Sequence, residues 1–462
     1  MKIIYFISIQ TAICIAVLIA AFSCDSFVEV DLPKSQLIRE SVFDNYNTAD
    51  AALSDIYSNI RTKGLLTGGG VGISGQLGCY ADELISTEDP DNFNFYFYTN
   101  NLLPESPYVA AYWNETYSQI YASNAVIEGA LSSKNLTTAQ KNQLQGQALF
   151  IRSLLHFYLY NIFGEIPYIT HTDYSQNSTV HRMTEKEVYK NIITDLEKAS
   201  TMLSSSFAST ARVRPNALTV QALLARVYLY QKSYPEAADL ASAVINQTQL
   251  FKLENPSDVF LLNSKETIWQ LHSGIPGDNT ADARYFIFFS APPQAVWLNE
   301  ALVNSFLASD IRRKLWIKGV SDGLSTWYHP YKYKEYNATA SSKEYTILLR
   351  LAEQYLIRAE ARAMQGDLIG AKEDLNKVRQ RAGLSETHAQ TQLEIIEAVL
   401  TERKWELFTE SGHRFFDLKR NGRLDSTLFS VKKGWKSTNR LFPIPQSELS
   451  INPNLRPQNP GY

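Results

Sequence analysis

Cysteine is scarce in this chain, and what there is has nowhere to pair. Three occur in 462 residues, Cys14, Cys24 and Cys79. The first two lie in or directly after the one long apolar run, so Cys79 alone remains for the body and no internal disulfide can form. A body exported without disulfides must be held by its core. With no His or Asn signature nearby, Cys79 reads as a packed small residue and not a nucleophile. An excess of one charge is missing too. Lys plus Arg number 44 against 47 Asp plus Glu, a net −3 with the signs interspersed, so there is no basic stripe and nucleic acid is set aside as a partner.

Motifs for chemistry are also lacking. The seven histidines are scattered without His-Glu-x-x-His spacing, and there is no Gly-x-Ser-x-Gly elbow. No Asp-x-Asp-x-Asp-Gly loop offers a calcium site. Gly68-Gly69-Gly70 is not followed by Gly-Lys-Ser/Thr, so the glycine-rich stretch 64–78 reads as a flexible turn and not a phosphate loop. Asp82 and Glu83 would point to opposite faces as strand neighbours, a poor start for a two-carboxylate glycosidase. The expectation is no catalysis, no metal and no cofactor.

What is present begins at the N-terminus. Residues 1–23 read as a secretory signal, with Lys2 at the start, an apolar run from Ile3 to Ala20, and Ala21-Phe22-Ser23 before Cys24. A signal ending at a cysteine suggests lipoprotein processing, in which the Cys24 thiol is acylated by palmitate-type chains that hold the protein on a membrane. Ala21 stands where leucine is usual. An uncleaved anchor helix is the alternative, since about 20 residues suffice to span a bilayer. Aromatics make up 12% of the chain, with 26 Tyr, 22 Phe and 7 Trp. Their flat apolar bodies and polar tips suit ligand contact as well as packing.

Periodicity along the rest is helical. Helices are expected over about 47–61, with Thr48 as cap, then 108–131, 138–163 capped by Thr138, and 184–203, opened by Thr184 and Glu187 in capping-box spacing. Two later segments align without a gap. Ala225, Tyr228, Ala237 and Val244 surround one turn, and Ala359, Arg362, Ala371 and Val378 surround another. Small residues on facing sides of two helices are the logic of a tetratricopeptide pair. Helices 138–163 and 184–203 suggest a third pair, and 392–410 the start of a fourth. Being apart in sequence, these pairs are not expected to form a continuous solenoid. Between them, 251–345 has no steady period and is crowded with aromatics. It is expected to be an ordered irregular subdomain. The fold class is therefore mainly α, with helix pairs as scaffold.

Five stretches then resemble the SusD/RagB family of nutrient-binding outer-membrane lipoproteins of Bacteroidetes. They are Cys24-Asp25-Ser26-Phe27-Val28-Glu29-Val30 with Pro33; Gln147 to Ser153 through Phe163-Gly164-Glu165-Ile166-Pro167-Tyr168; Arg358-Ala359-Glu360-Ala361 with Gly366-Asp367 and Asp374 to Arg379; Glu402-Arg403-Lys404-Trp405-Glu406-Leu407 with Gly412 to Arg420; and Phe442-Pro443-Ile444-Pro445 with the terminal Gln458-Asn459-Pro460-Gly461-Tyr462. The resemblance implies one domain over 24–462, whose parts are 24–250, 251–345 and 346–462, with four tetratricopeptide-like pairs. It implies a lipid-anchored protein on the outer membrane, facing outward over a TonB-dependent SusC-like transporter, to which it delivers captured oligosaccharide or peptide without catalysis. In the family the scaffold side meets the transporter and the opposite loops meet the ligand.

Ligand residues are not fixed by those motifs, so candidates come from chemistry. Sugar recognition needs aromatic faces beside planar polar groups. One candidate cluster is Asp82, Asp91, Asn92, Phe93, Asn94, Tyr96 and Tyr98, whose alternation from Phe93 to Tyr98 also fits a β-strand. The second is Trp297, Trp327, Tyr328 and Tyr331 in the irregular subdomain. Core packing is the competing reading for each of these aromatics. The charge-rich run 403–420 reads as fold-holding ion pairs. A glycan is favoured over a peptide as ligand, and a pure protein-interaction scaffold is the third reading.

Overall fold

Asn45 opens the first long helix of the computed structural model, which describes residues 39–462. The signal peptide and Cys24 lie outside the described residues. A short helix, Arg39–Val42, belongs to a separate N-terminal unit, and residues 43–462 form the body of the protein. In that body the Asn45 side chain accepts from the Thr48 N–H, and the capped helix α1 (Tyr46–Thr62) buries Ala49, Leu53, Ile56 and Ile60 along one stripe. Asn45, not Thr48, is the cap. Thr48 sits inside the first turn, where its hydroxyl donates to the Asn45 carbonyl.

The glycine-rich stretch departs from expectation. Part of it is a helix, α2 (Ile73–Tyr80), almost wholly buried. A Cβ at Gly75 would lie 2.4 Å from the Tyr285 ring, and one at Gly70 2.8 Å from the rings of Phe93 and Tyr285. Here the missing side chains serve close approach of aromatic rings to backbone, not flexibility.

Next come α3 (Pro107–Ser132), α4 (Thr138–Phe163), α5 (Glu185–Met202), α6 (Ala217–Tyr230), α7 (Tyr234–Ile245), α8 (Leu351–Met364), α9 (Leu368–Arg381), α10 (Gln392–Leu407) and α11 (His413–Arg420). Capping boxes start α4 at Thr137 with Gln140 and α5 at Thr184 with Glu187. The cap of α4 is thus one residue earlier than expected. Each helix from α3 to α11 packs on the next. The expected pairs α4–α5, α6–α7 and α8–α9 all form, but the row does not stop between them. α7 lies directly against α8, so the long insertion separating them in sequence leaves the stack unbroken in space. Ala225, Ala237, Ala359 and Ala371 are fully buried, which is what lets these helix backbones approach. The core across α8, α9 and α10 joins Leu356, Leu375, Val378, Ile395 and Val399 to Ala359 and Ala371.

Buried arginines tie the stack together. Arg152 on α4 grips Asp195 on α5 through two hydrogen bonds of 2.8 and 2.7 Å. Arg226 on α6 does the same with Glu353 on α8, at 2.7 and 2.6 Å, and Arg358 on α8 with Asp374 on α9. Arg403 on α10 reaches Asp417 on α11 at 2.7 Å. The charge-rich run is indeed structural: Arg414 pairs with Asp82, and Arg420 with Asp417 and Glu360.

The insertion is ordered. Three two-stranded antiparallel sheets form: β1 (Leu84–Ser86) with β3 (Val296–Leu298), β2 (Thr267–Leu271) with β6 (Thr346–Arg350), and β4 (Ile317–Ser321) with β5 (Thr326–Pro330). Trp269 and Trp316 are completely buried there. One ion network welds the insertion to the helices. Arg350, at the β6–α8 junction, bonds Glu266 at 2.9 Å and Glu410 at 2.8 Å, and also pairs with Glu406 on α10. Arg312 holds Asp310, Glu402 and Glu406, each at 2.7 Å. Arg381 on α9 joins Glu266 and Glu406, Arg379 reaches Glu402 at 3.4 Å, and Lys332 pairs with Glu410. Five cations thus face five carboxylates, and the charge closes. Burial alone would raise the Glu406 pKa, but Arg381, Arg350 and Arg312 override it and hold Glu406 well below the usual range.

Removing one member of such a network strands the others without water. The variant Arg350→Met should therefore lose about 3–5 kcal/mol of stability, read as a lowered midpoint in urea unfolding. A midpoint equal to wild type would show that the network does not hold the insertion in place.

Candidate ligand-binding site

The β4–β5 hairpin shapes the main candidate. Its tip is closed by Asp322, whose side chain accepts from the N–H groups of Leu324 and Ser325 at 2.9 and 2.8 Å, with Gly323 at φ +96°. Beyond β5 two consecutive residues, Lys332 and Tyr333, turn inward. The Tyr331 N–H donates to the Trp316 carbonyl at 2.7 Å. Lys332 plunges inward to the Glu406 and Phe408 carbonyls at 2.9 and 2.7 Å, and the buried Tyr333 hydroxyl accepts from the Ile347 N–H at 2.8 Å. Tyr331 and Lys334 are left on the other side, half-buried. Anchoring Lys332 in the ion network thus sets how Tyr331 is presented.

A cavity of about 370 Å³ opens there, between β4–β5, residues 287–289 and residues 334–337. Rings line it. Phe289 meets Tyr336 edge-on with centroids 5.0 Å apart, Phe288 meets His329 at 5.0 Å, and His329 meets Tyr331 at 5.7 Å. Phe289 is 69% exposed and Tyr336 36%, so ring surface at this cavity is open to a ligand. Polar groups stand among the rings. The Lys318 ammonium lies 4.9 Å from the Tyr331 centroid, and Lys334, Glu335 and Asn337 complete the wall. Asn279 holds the last of these loops by donating to the Asn337 carbonyl at 3.1 Å. His329 is buried, which lowers its pKa. Its Nδ1 bonds the Pro330 carbonyl at 2.9 Å, so the ring is assigned neutral with Nε2 as acceptor, and Nε2 has no partner among the described residues.

Of the second expected cluster, Tyr331 lines this cavity and Trp297, Trp327 and Tyr328 do not. Trp327 and Tyr328 sit half-buried on β5, with the Arg313 guanidinium 4.9 Å over the Tyr328 ring. Trp297 is half-buried on β3, which packs against β5.

The first cluster is reshaped. Asn94–Tyr98 is a short helix and not a strand, because the Asn92 side chain accepts from the Asn94 N–H at 3.0 Å and turns the chain. Asp82 is not available to a ligand. Both its oxygens accept from Arg414 at 2.7 Å, and although burial opposes it, this pairing keeps the Asp82 pKa low. Asn94 is fully buried and accepts from the Tyr285 hydroxyl at 2.8 Å. Tyr98 carries the Lys432 ammonium 3.9 Å above its ring. Asp91 remains exposed and Asn92, Phe93 and Tyr96 half-exposed, the last two rings sharing Tyr108 as neighbour. Tyr285 bridges the clusters: it bonds Asn94, packs on Phe286 at 4.9 Å, and lies just ahead of Phe288 and Phe289. Sequence reasoning did not select Phe288, Phe289, Tyr336, Lys318 or Lys334. The signal was there in Phe288-Phe289 and in Tyr336-Asn337, aromatics in loops beside polar residues.

Among the described residues, no group of three or more His, Cys, Asp or Glu side chains is placed to hold a metal ion. No described helix is long and apolar enough to cross a membrane.

Comparison with known proteins agrees with this architecture. Residues 80–229 match a family described as starch-binding and associating with the outer membrane, and residues 317–462 match the SusD family. SusD-like protein P2 of Formosa agariphila is 27% identical, covering 97% of this chain and 98% of its own length. A SusD superfamily protein of Bacteroides vulgatus superimposes with a TM-score of 0.78 at 20% identity, over 91% of this chain and all of that one. A laminarin-binding SusD-like protein does so at 0.74 and 24% identity, over 90% and 99%. The fold is that of a helical-repeat platform carrying an irregular aromatic face. The chain belongs to the SusD/RagB family.

Asp282, in the short helix that leads to Phe288, supplies a pH test. It is buried, and its carboxylate accepts from the Thr346 hydroxyl at 2.6 Å. Burial pushes its pKa up to about 7 from 3.8, against the opposing hydrogen bond from Thr346. Because the folded pKa is the higher one, the cost is absent below pH 3.8, grows as the unfolded chain ionises first, and is complete above pH 7. Between pH 4 and pH 8 the stability difference should therefore move in favour of Asp282→Asn by up to about 4 kcal/mol. Unfolding midpoints across that range measure it, and a difference independent of pH would refute the assignment.

Proposed function

We propose that the protein is a non-catalytic cell-surface lipoprotein that binds oligosaccharides in the Phe288–Tyr331–Tyr336 cavity and hands them to a TonB-dependent, SusC-like transporter. Lipid on Cys24 would hold it in the outer membrane, facing outward. The observation that carries this reading is the ring-lined cavity, with exposed Phe289 and Tyr336 beside Lys318 and Asn337. Flat apolar faces cover the C–H faces of a sugar ring, and cations and amides bond its hydroxyls. The starch-binding description of the matched family and the laminarin-binding relative support glycan over other ligands. The wiring of Asp82 and Glu83 supports the non-catalytic part of this reading. Asp82 is committed to Arg414, and Glu83 is buried, with burial first and then Asp82 raising its pKa to about 8. Neither carboxylate lines the cavity.

Binding of a panel of oligosaccharides and peptides to the full chain tests this directly. Tyr331→Ala and Phe289→Ala should each weaken the selected glycan about tenfold to a hundredfold, the equivalent of uncovering one large ring. Phe289→Ala should leave the melting temperature nearly unchanged, since that ring is already mostly exposed. Asp82→Ala should do the reverse, lowering stability and sparing affinity. Affinity indifferent to both aromatic changes would reject this cavity as the site, and selection of peptides alone would reject glycan as its ligand.

A further inference from the structure

A second cavity, of about 610 Å³, lies far along the sequence from the first, where α4, α5, α11 and the C-terminal residues 457–460 meet. Two half-buried cations line it, from different elements. Lys419 on α11 donates to the Asn161 carbonyl at 2.6 Å. Arg182, ahead of α5, donates to the carbonyls of Glu165 and Pro457 at 2.9 and 2.6 Å and to Asn459 Oδ1 at 2.7 Å. These partners are all neutral. Among the described residues neither cation has a carboxylate within ion-pair distance, whereas the buried arginines of the scaffold all have one. Lys419 still has two protons to give, and Arg182 two more.

The rest of the wall sharpens the contrast. Arg420 also lines the cavity but is already matched by Glu360 and Asp417. Lys232 adds a third charge, exposed at the rim. The lining acids, Glu165 and Glu185, are exposed and form no ion pair with the two cations, acting on them only through space, Glu185 on Lys419 and Glu165 on Arg182. Half-buried Tyr160 offers a ring face, the buried Tyr189 and Tyr230 close the wall behind it, and Gln458 and Asn459 provide amides. We propose that this cavity binds an acidic sugar, its carboxylate or sulfate ester seated between Lys419 and Arg182 and its ring against Tyr160. Burial, the largest influence, lowers the Lys419 pKa to about 7, with Glu185 opposing the shift and Arg440 adding to it. The site is independent of the first cavity and stands whether or not that cavity takes glycans.

Calorimetric titration of the full chain in detergent with glucuronate, glucose and inorganic sulfate tests it. Glucuronate should bind at least about tenfold more tightly than glucose, the margin one charge-assisted hydrogen bond provides. Lys419→Met should remove that margin and Lys419→Arg should restore it, while Tyr331→Ala, in the other cavity, should leave glucuronate binding unchanged. Sulfate binding with the same dependence on Lys419 would show that the anion itself is read. Sulfate silence beside glucuronate binding would show that the sugar ring is needed. Equal affinity for glucuronate and glucose overturns the proposal, as does glucuronate binding that Lys419→Met leaves intact. If Lys419→Met does not fold, Arg182→Gln replaces it with the same expected loss.

Discussion

The carboxylate of Glu406 is the point on which this structure turns. It is buried on α10, and three guanidinium groups reach it from three directions: Arg350 at the start of α8, Arg381 at the end of α9, and Arg312 from the insertion. A carboxylate in that place is tolerable only when those groups arrive together, because desolvating a charge without a partner costs several kcal/mol. The arrangement therefore fixes geometry. It holds the insertion, which has few regular elements of its own, in one position against the helices. Lys332 joins the same network through Glu410, and its neighbour Tyr331 is thereby turned toward the cavity. Fold and candidate site share this anchor.

The same device recurs along the helix row. Arg152–Asp195, Arg226–Glu353, Arg358–Asp374 and Arg403–Asp417 each join two helices across a buried face. Alanines bring the backbones close, and these pairs, the first three of them bidentate, choose the register, since a slipped helix would leave a charge unpaired. Dispersion and apolar burial supply the bulk of the stabilisation; the ion pairs make one packing preferable to its neighbours. This economy suits a body with a single cysteine, Cys79, which is itself buried.

Much of the fold was legible because helical periodicity is local. The alanines at 225, 237, 359 and 371 identified two pairs, and the capping box at Thr184 marked the start of α5. The contact of α7 with α8 was not legible, since no local pattern reports that a long insertion loops out and returns. The glycines at 70 and 75 misled because the rings that need their space, Phe93 and Tyr285, lie elsewhere in the sequence. The candidate site was read in part. Tyr331, selected by its loop context, lines the candidate cavity, whereas Asp82 and Asn94 met the same criterion and are committed to Arg414 and Tyr285. Composition can mark a residue as suited to ligand contact, but only the tertiary structure shows whether its polar atoms are already taken. The same limit hid Phe289 and Tyr336, whose exposure depends on loops that Asn279 ties down.

The central claim is that the network-held insertion presents its rings to a sugar. The most direct measurement is a crystal structure with the oligosaccharide of highest affinity bound. The expected result is a sugar ring lying over Phe289, Tyr331 or Tyr336, with its hydroxyls bonded to Lys318, Lys334 or Asn337 and the Arg350 network unaltered beneath. A glycan seated away from these rings, with the cavity empty, would contradict it.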